Sequence, residues 1–252
     1  MNLHIKLIII ISFCLVSKIS FTQKETDFKV VTYNFISAQE NNAKINTKLY
    51  LKEKESFHLF SDQDEKSNFN EKNRTFRINS TKENVFFYKS FKNNTITYKD
   101  YIFSQPYIIK ENIPEINWKI YNEEKIIANT YVCKKAIGKF RGRLYTVWFT
   151  PQIPLSNGPW KLGGLPGLIL EAYDEDREVI FNFVSFEKSK NEFYLNSFKM
   201  PKNAISWANF ASIYRKKLKQ FISSVRASVP GKRNVKLVKI NLIEKSIFEG
   251  EK

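Results

Sequence analysis

Acid–base chemistry, metal binding and covalent catalysis each need particular side chains at particular spacings, and this chain offers few. Glu171 and Asp174 follow a constrained loop and are the acids placed to do proton transfer, yet no second acid pairs with either in the sequence. Asp174-Glu175-Asp176 offers three carboxylates in a row, without the alternating oxygen donors of a calcium loop, so Asp174-Glu175-Asp176-Arg177 reads as an exposed hairpin turn. Ser156 lacks the G-x-S-x-G setting of an esterase nucleophile, and no Asp–His pair accompanies it. Of the 2 His, His4 lies near the start and His58 has no soft ligand beside it, which makes His58 structural. Gly163-Gly164 is not followed by the lysine–hydroxyl pair of a phosphate loop, and G-x-G-x-x-G does not occur. No catalytic residue, metal site or cofactor is assigned, and the balance points away from an enzyme.

One loop stands out. From Trp148 the chain reads WFTPQIPLSNGPWKLGGLPGLILE, with Pro151, Pro154, Pro159 and Pro166 restricting the backbone. Gly158, Gly163, Gly164 and Gly167 allow close approaches or unusual dihedrals. Asn157-Gly158 and Pro166-Gly167 are turn signals, while Leu165, Leu168 and Ile169 can pin the loop to an apolar surface. With Trp148 and Trp160 it forms either the rim of a binding site or a plug for one end of a sheet.

The elements that must hold this loop are β-strands. Phe28–Phe35, Leu49–Phe60, Thr75–Ile78, 84–89, Thr95–Lys99 and Tyr107–Lys110 carry β-branched and aromatic residues in short runs. A strand begins at Trp118-Lys119-Ile120, a second spans Lys125–Ala136 and a third Arg143–Thr150, with Gly138 and Gly142 at the bend between the last two. Period two sends Tyr145, Val147 and Phe149 to one face and Leu144, Thr146 and Trp148 to the other. Leu168–Ala172 and Val179–Phe186 form a hairpin around the acidic turn. Residues 61–74 are a polar internal loop. From Ala204 the period changes to three and four: Trp207, Phe210, Ala211, Tyr214 and Leu218 share a helical stripe that docks on the sheet. Pro230-Gly231 ends this pattern, and Lys236–Ile243 is a last edge strand. The fold class is mainly β: a curved antiparallel sheet or incomplete barrel with a late amphipathic helix, similar in outline to periplasmic lipoprotein carriers.

The first 22 residues read as an export signal: a basic start, an apolar run from Leu7 to Val16, then Ser20 and Thr22 at a cleavage position. The remaining 23–252 form one β-rich domain. Cleavage removes Cys14 and leaves Cys133 alone and buried, so no internal disulfide can form. It also removes Lys6 and Lys18; 39 basic side chains then face 25 acidic ones, and the net charge falls from +16 to +14. Such a field favours anionic lipid, an anionic envelope polymer or an acidic protein surface. Arg215, Lys216, Lys217 and Lys219, on the polar side of the helix, are the candidate anionic contacts. Export and the lack of any nucleic-acid module exclude nucleic acid. With no transmembrane span, the chain is peripheral: periplasmic or associated with the outer membrane.

Gly164-Leu165-Pro166-Gly167-Leu168-Ile169 reads GLPGLI. With Trp148-Phe149-Thr150-Pro151, Ile153-Pro154, Ser156-Asn157-Gly158-Pro159-Trp160 and the upstream Cys133-Lys134-Lys135-Ala136, the chain resembles the GLPGLI family of exported Bacteroidota proteins. That resemblance implies export and gives weight to the loop, but supplies no activity. The leading expectation is a noncatalytic envelope protein that binds an apolar or amphiphilic ligand, such as a lipid, or docks with an outer-membrane protein. The alternatives are a pure protein-interaction scaffold and a carboxylate-dependent envelope hydrolase acting on a glycan or peptide.

Overall fold

A computed structural model of the chain describes residues 28–37, 44–60, 85–189, 201, 203–228, 244 and 247. The export segment, the loop 61–74, the strand expected at Thr75–Ile78, the helix stop at Pro230-Gly231 and the strand expected at Lys236–Ile243 lie outside the described residues. The strands are β1 Phe28–Ser37, β2 Lys44–Leu51, β3 Glu55–Phe60, β4 Val85–Ser90, β5 Thr95–Ile102 and β6 Gln105–Asn112. They continue as β7 Lys119–Ile127, β8 Tyr131–Phe140, β9 Arg143–Thr150, β10 Leu168–Asp174 and β11 Val179–Ser189, and helix α1 spans Trp207–Ser228.

All eleven strands join one sheet in the order β6-β5-β4-β3-β2-β1-β11-β10-β9-β8-β7. Every neighbouring pair is antiparallel. Both edges, β6 and β7, are consecutive in sequence and joined only by residues 113–118. Laid flat, such a sheet would be about 48 Å wide, whereas that connection reaches at most about 25 Å. The sheet must therefore curl. It does not close, because β6 and β7 form no ladder with each other. The expected curved, open antiparallel sheet with a late helix is what the chain adopts.

Several boundaries differ from the sequence reading. Leu49–Phe60 is two strands, β2 and β3, separated by residues 52–54, and the expected strand Lys125–Ala136 divides between β7 and β8. The break falls at Ala128 and Asn129, whose φ values of 52° and 53° make a left-handed turn without glycine. Gly138 is not at a bend but inside β8, where a Cβ would lie 2.7 Å from the Trp118 ring. Pro106 belongs to β6, an edge strand, where a missing N–H is tolerated.

One large core joins the inner face of the sheet, the loop after β9 and the helix. A smaller cluster of Tyr50, Phe57, Leu59 and Phe86 lies on the other face of β2–β4. Helix α1 begins where Ser206 accepts from Asn209 N–H at 3.2 Å, an N-cap. Just before it, Ile205 makes two backbone hydrogen bonds of 2.9 Å with β6, to Ile108 and Lys110, which cover part of that edge. Phe210 and Leu218 are buried, and Phe210 meets Tyr107 of β6 edge-on at 5.7 Å, so the amphipathic stripe docks on the sheet as expected.

Candidate acidic site and the loop that fills the sheet

A seventeen-residue connection between adjacent strands is far longer than a hairpin needs. Residues 151–167 fold inward and occupy the curl. Trp160 is 2% exposed and packs on Phe140 and Tyr145 with centroids 5.4 and 6.2 Å apart. Gly158, Pro159, Leu165 and Gly167 are buried with it, as are the strand residues Leu168 and Ile169. Pro154, Gly164 and Pro166 are exposed, and Gly163 is half-buried. At Gly167 φ is +156°, and a Cβ would stand 2.7 Å from the Thr150 carbonyl carbon, so only glycine fits. Trp160 takes φ 55° without being glycine, a strained conformation that the packing around it holds.

Polar groups from distant strands tie this plug down. His58 Nδ1 accepts the Trp160 N–H at 2.7 Å, which leaves Nε2 to donate to Thr47 Oγ1 at 2.9 Å. Burial, and then the Lys89 charge, hold this imidazole well below its ordinary pKa, so it is neutral. Lys89, on β4, donates to Asn157 Oδ1 at 2.9 Å, Gly158 O at 3.2 Å and Leu162 O at 2.7 Å. Burial pushes the Lys89 pKa down to about 7. Trp118 Nε1 donates to Gly163 O at 2.8 Å, and Tyr33 Oη to Ile169 O at 2.7 Å. His58 is structural, as its isolation in the sequence suggested.

Trp148 and Trp160 do not line a common space. Trp148 lies on the opposite face of β9 from Tyr145, Val147 and Phe149, with Lys125 Nζ 5.0 Å from its ring centre. Lys125 also pairs with Glu171, so Glu171 faces outward beside Trp148. Cys133 is buried, and burial pushes its thiol up to about 12. On α1, Arg215 donates to Ile247 O at 2.8 Å and Lys217 to Gln105 Oε1 at 2.5 Å; Lys216 and Lys219 are exposed.

The acids gather at the other end of β10. Asp174 is its last residue, and the turn that follows brings Asp176 and Glu178 back so that one oxygen from each of the three lies within 4.8 Å of the others. Register places Asp174 opposite Tyr145, two residues from the start of β9, where Arg143 stands. The Arg143 guanidinium, 1% exposed, pairs with Asp174 and, at 2.8 Å, with Glu178. Val179 N–H donates to Asp174 Oδ1 at 2.8 Å. Asp174 is thus buried and held from two sides, Glu178 is partly buried and Asp176 is exposed. The hairpin was expected, and expected to be an exposed turn; instead Asp174 is buried, because Arg143 and the Val179 N–H hold its carboxylate inward. Glu178 and Arg143 were missed. Their only sequence signal is position, an arginine at the first residue of a strand and an acid just past a turn.

A guanidinium among three carboxylates compensates charge that a bound cation would otherwise supply, so the cluster fits a divalent metal poorly. What it does offer is carboxylate oxygens close enough to hold one water between them.

Residues 141–171 match a family model described as a protein of unknown function (Porph_ging); the match contains Arg143, the plug and the GLPGLI run. No curated protein matches the chain. A solved structure titled "Structure of PNGF-II in C2 space group" is 16% identical over 77% of this chain and 33% of its own, with a TM-score of 0.51. A second, "Structure of PNGF-II in P21 space group", is 15% identical over 71% of this chain and 31% of its own, with a TM-score of 0.49. The chain spans about a third of the length of these structures, and the likeness of the first is one of fold. The expectation that the chain is not an enzyme is corrected here. It rested on finding no acid paired with Asp174, and the folded chain gathers Asp176 and Glu178 around it, on a fold shared with PNGF-II.

Proposed function

We propose that the chain is a carboxylate-dependent hydrolase of the cell envelope acting on a glycan or a peptide. The observation that supports this reading is the convergence of Asp174, Asp176 and Glu178 beside Arg143. Like charges so close repel, and Arg143 offsets that repulsion while fixing Asp174 and Glu178 in place. Asp176 is the member with solvent access and acts as general base. It takes a proton from a water molecule as the water oxygen adds to the electrophilic carbon of the substrate, and that proton passes to the leaving group as the bond breaks. The GLPGLI run at Gly164–Ile169 supports an exported member of that family, and no helix among the described residues is long and apolar enough to cross a membrane.

The test is hydrolysis of a mixed set of peptides, glycopeptides and oligosaccharides, read by mass spectrometry. The purified chain should release a product, and Asp176→Asn should lower the rate by about 100-fold or more. Glu175→Gln, in the same turn but outside the cluster, should keep the full rate. Equal turnover by Asp176→Asn and the unaltered chain removes the reading.

A further inference from the structure

The outer face of β7–β10, turned away from the plug, carries a strip of aromatic rings that the acidic chemistry does not use. Register sets Trp148 of β9 beside Lys135 of β8 on one side and Glu171 of β10 on the other. Directly paired residues point to the same face, so all three stand on it. β7 departs from its register between Ile120 and Glu124, and this bulge turns Tyr121 and Glu123 onto Lys135. The Lys135 ammonium lies 5.6 Å from the Tyr121 ring centre and 2.9 Å from Glu123 Oε2. Tyr121 and Trp148 are two strands apart, about 10 Å. Tyr173 follows on β10, opposite Thr146, with the Arg177 guanidinium 3.5 Å from its ring centre.

The three rings are half-buried, seated on the sheet with part of each left to solvent. Their polar ends are unspent: among the described residues, the Trp148 indole N–H and the Tyr121 and Tyr173 hydroxyls make no hydrogen bond. Tyr33, Tyr88 and Tyr98, by contrast, each bond a carbonyl or a carboxylate. Positive charge is in excess along the strip. Glu171 answers Lys125, and Glu123 answers Lys135. Lys119, 5.2 Å from the Tyr121 ring centre, and Lys139 are exposed and pair with no carboxylate among the described residues. Lys119 stands opposite Ile137, so Lys139 is its diagonal neighbour.

A flat apolar ring with an unused donor at its end suits a sugar, which has a C–H face and a rim of hydroxyls. Ammonium groups set between the rings oppose a lipid tail or a large apolar protein patch. The unanswered pair Lys119 and Lys139 favours a sugar that carries carboxylates. We propose that this face binds an acidic polysaccharide, with sugar rings stacked on Trp148 and Tyr121 and carboxylates paired to Lys119 and Lys139. The strip ends at the acidic turn, because Tyr173 precedes Asp174 and Arg177 belongs to that turn. Binding here does not depend on the hydrolase reading and is measured without turnover.

The test is calorimetric titration of the full chain with polygalacturonate at about 0.15 M salt, which screens exposed charges beyond about 8 Å. The unaltered chain should bind. Trp148→Ala changes no charge and should weaken binding about tenfold or more. Lys119→Gln with Lys139→Gln should weaken it as well, while Lys216→Gln with Lys219→Gln, the same change of charge on α1, should not. If the melting curve shows Trp148→Ala unfolded, Tyr121→Ala takes its place with the same expected loss. Absence of binding overturns the proposal, as does binding undiminished in Trp148→Ala or lowered equally by the α1 pair, since net charge alone would then hold the polymer. Dextran bound as tightly as polygalacturonate overturns the selection for acidic sugars. Polyglutamate bound as tightly, with the same loss in Trp148→Ala, overturns the sugar in favour of an acidic protein.

Discussion

A buried lysine with no carboxylate beside it among the described residues is an expensive choice, and Lys89 shows what it achieves. Its ammonium has three protons, and the plug offers it three oxygens. Lys89→Met strands those acceptors and should cost about 2–4 kcal/mol by urea denaturation. The group's pKa is about 7 when folded against an ordinary 10.5, so between those values the unfolded chain holds more protons. Stability therefore gains from this residue as pH rises through that window, and Lys89→Met should flatten the rise. Cys133 is a simpler case. With its thiol pushed up to about 12, it should resist iodoacetamide at pH 8 in the native protein and react in urea, as mass spectrometry would show. Its burial could be read from its place in an alternating strand. The burial of Lys89 and Lys161 could not, because lysine is almost always a surface residue and nothing local marks the exceptions.

Strands announced themselves where side chains alternate cleanly. Arg143–Thr150 was legible to the residue, since Tyr145, Val147 and Phe149 face the core and Leu144 and Trp148 do not. Turns were harder: Ala128-Asn129 and Phe103 adopt positive φ with neither glycine nor proline to betray them. The plug was visible as an anomaly of composition, but its direction was not. Whether such a loop folds into the curl or frames an opening depends on partners such as His58 and Lys89, far away in sequence. Gly167→Ala tests the tightest point of that path. It forces a side chain against the Thr150 carbonyl and should lower stability by about 2 kcal/mol or more in thermal melts. Charge reversal of Lys216 and Lys219, exposed on α1, should leave stability within about 0.5 kcal/mol in the same measurement.

At the scale of the molecule, an eleven-stranded meander that leaves both edges unpaired with each other could behave as two halves, β1–β6 and β7–β11. What opposes this is the material inside and across the curl. Residues 113–118 bridge the edges, Trp118 seats on Gly138 of β8 and bonds Gly163 of the plug, the plug is held by β3 and β4, and Tyr33 of β1 bonds Ile169 just past it. The acidic site depends on the same unity, because β10 and β11, which carry it, join β9 on one side and β1 on the other. A single cooperative transition is therefore expected, with tryptophan fluorescence and far-ultraviolet dichroism coinciding along a urea titration. Trp118→Ala should shift the midpoint downward by an amount equivalent to about 2–3 kcal/mol while leaving the slope unchanged. Two separated transitions in that variant would mean that the halves are independent and that Trp118 alone couples them. An unshifted midpoint would mean that the bridge follows the curl without holding it.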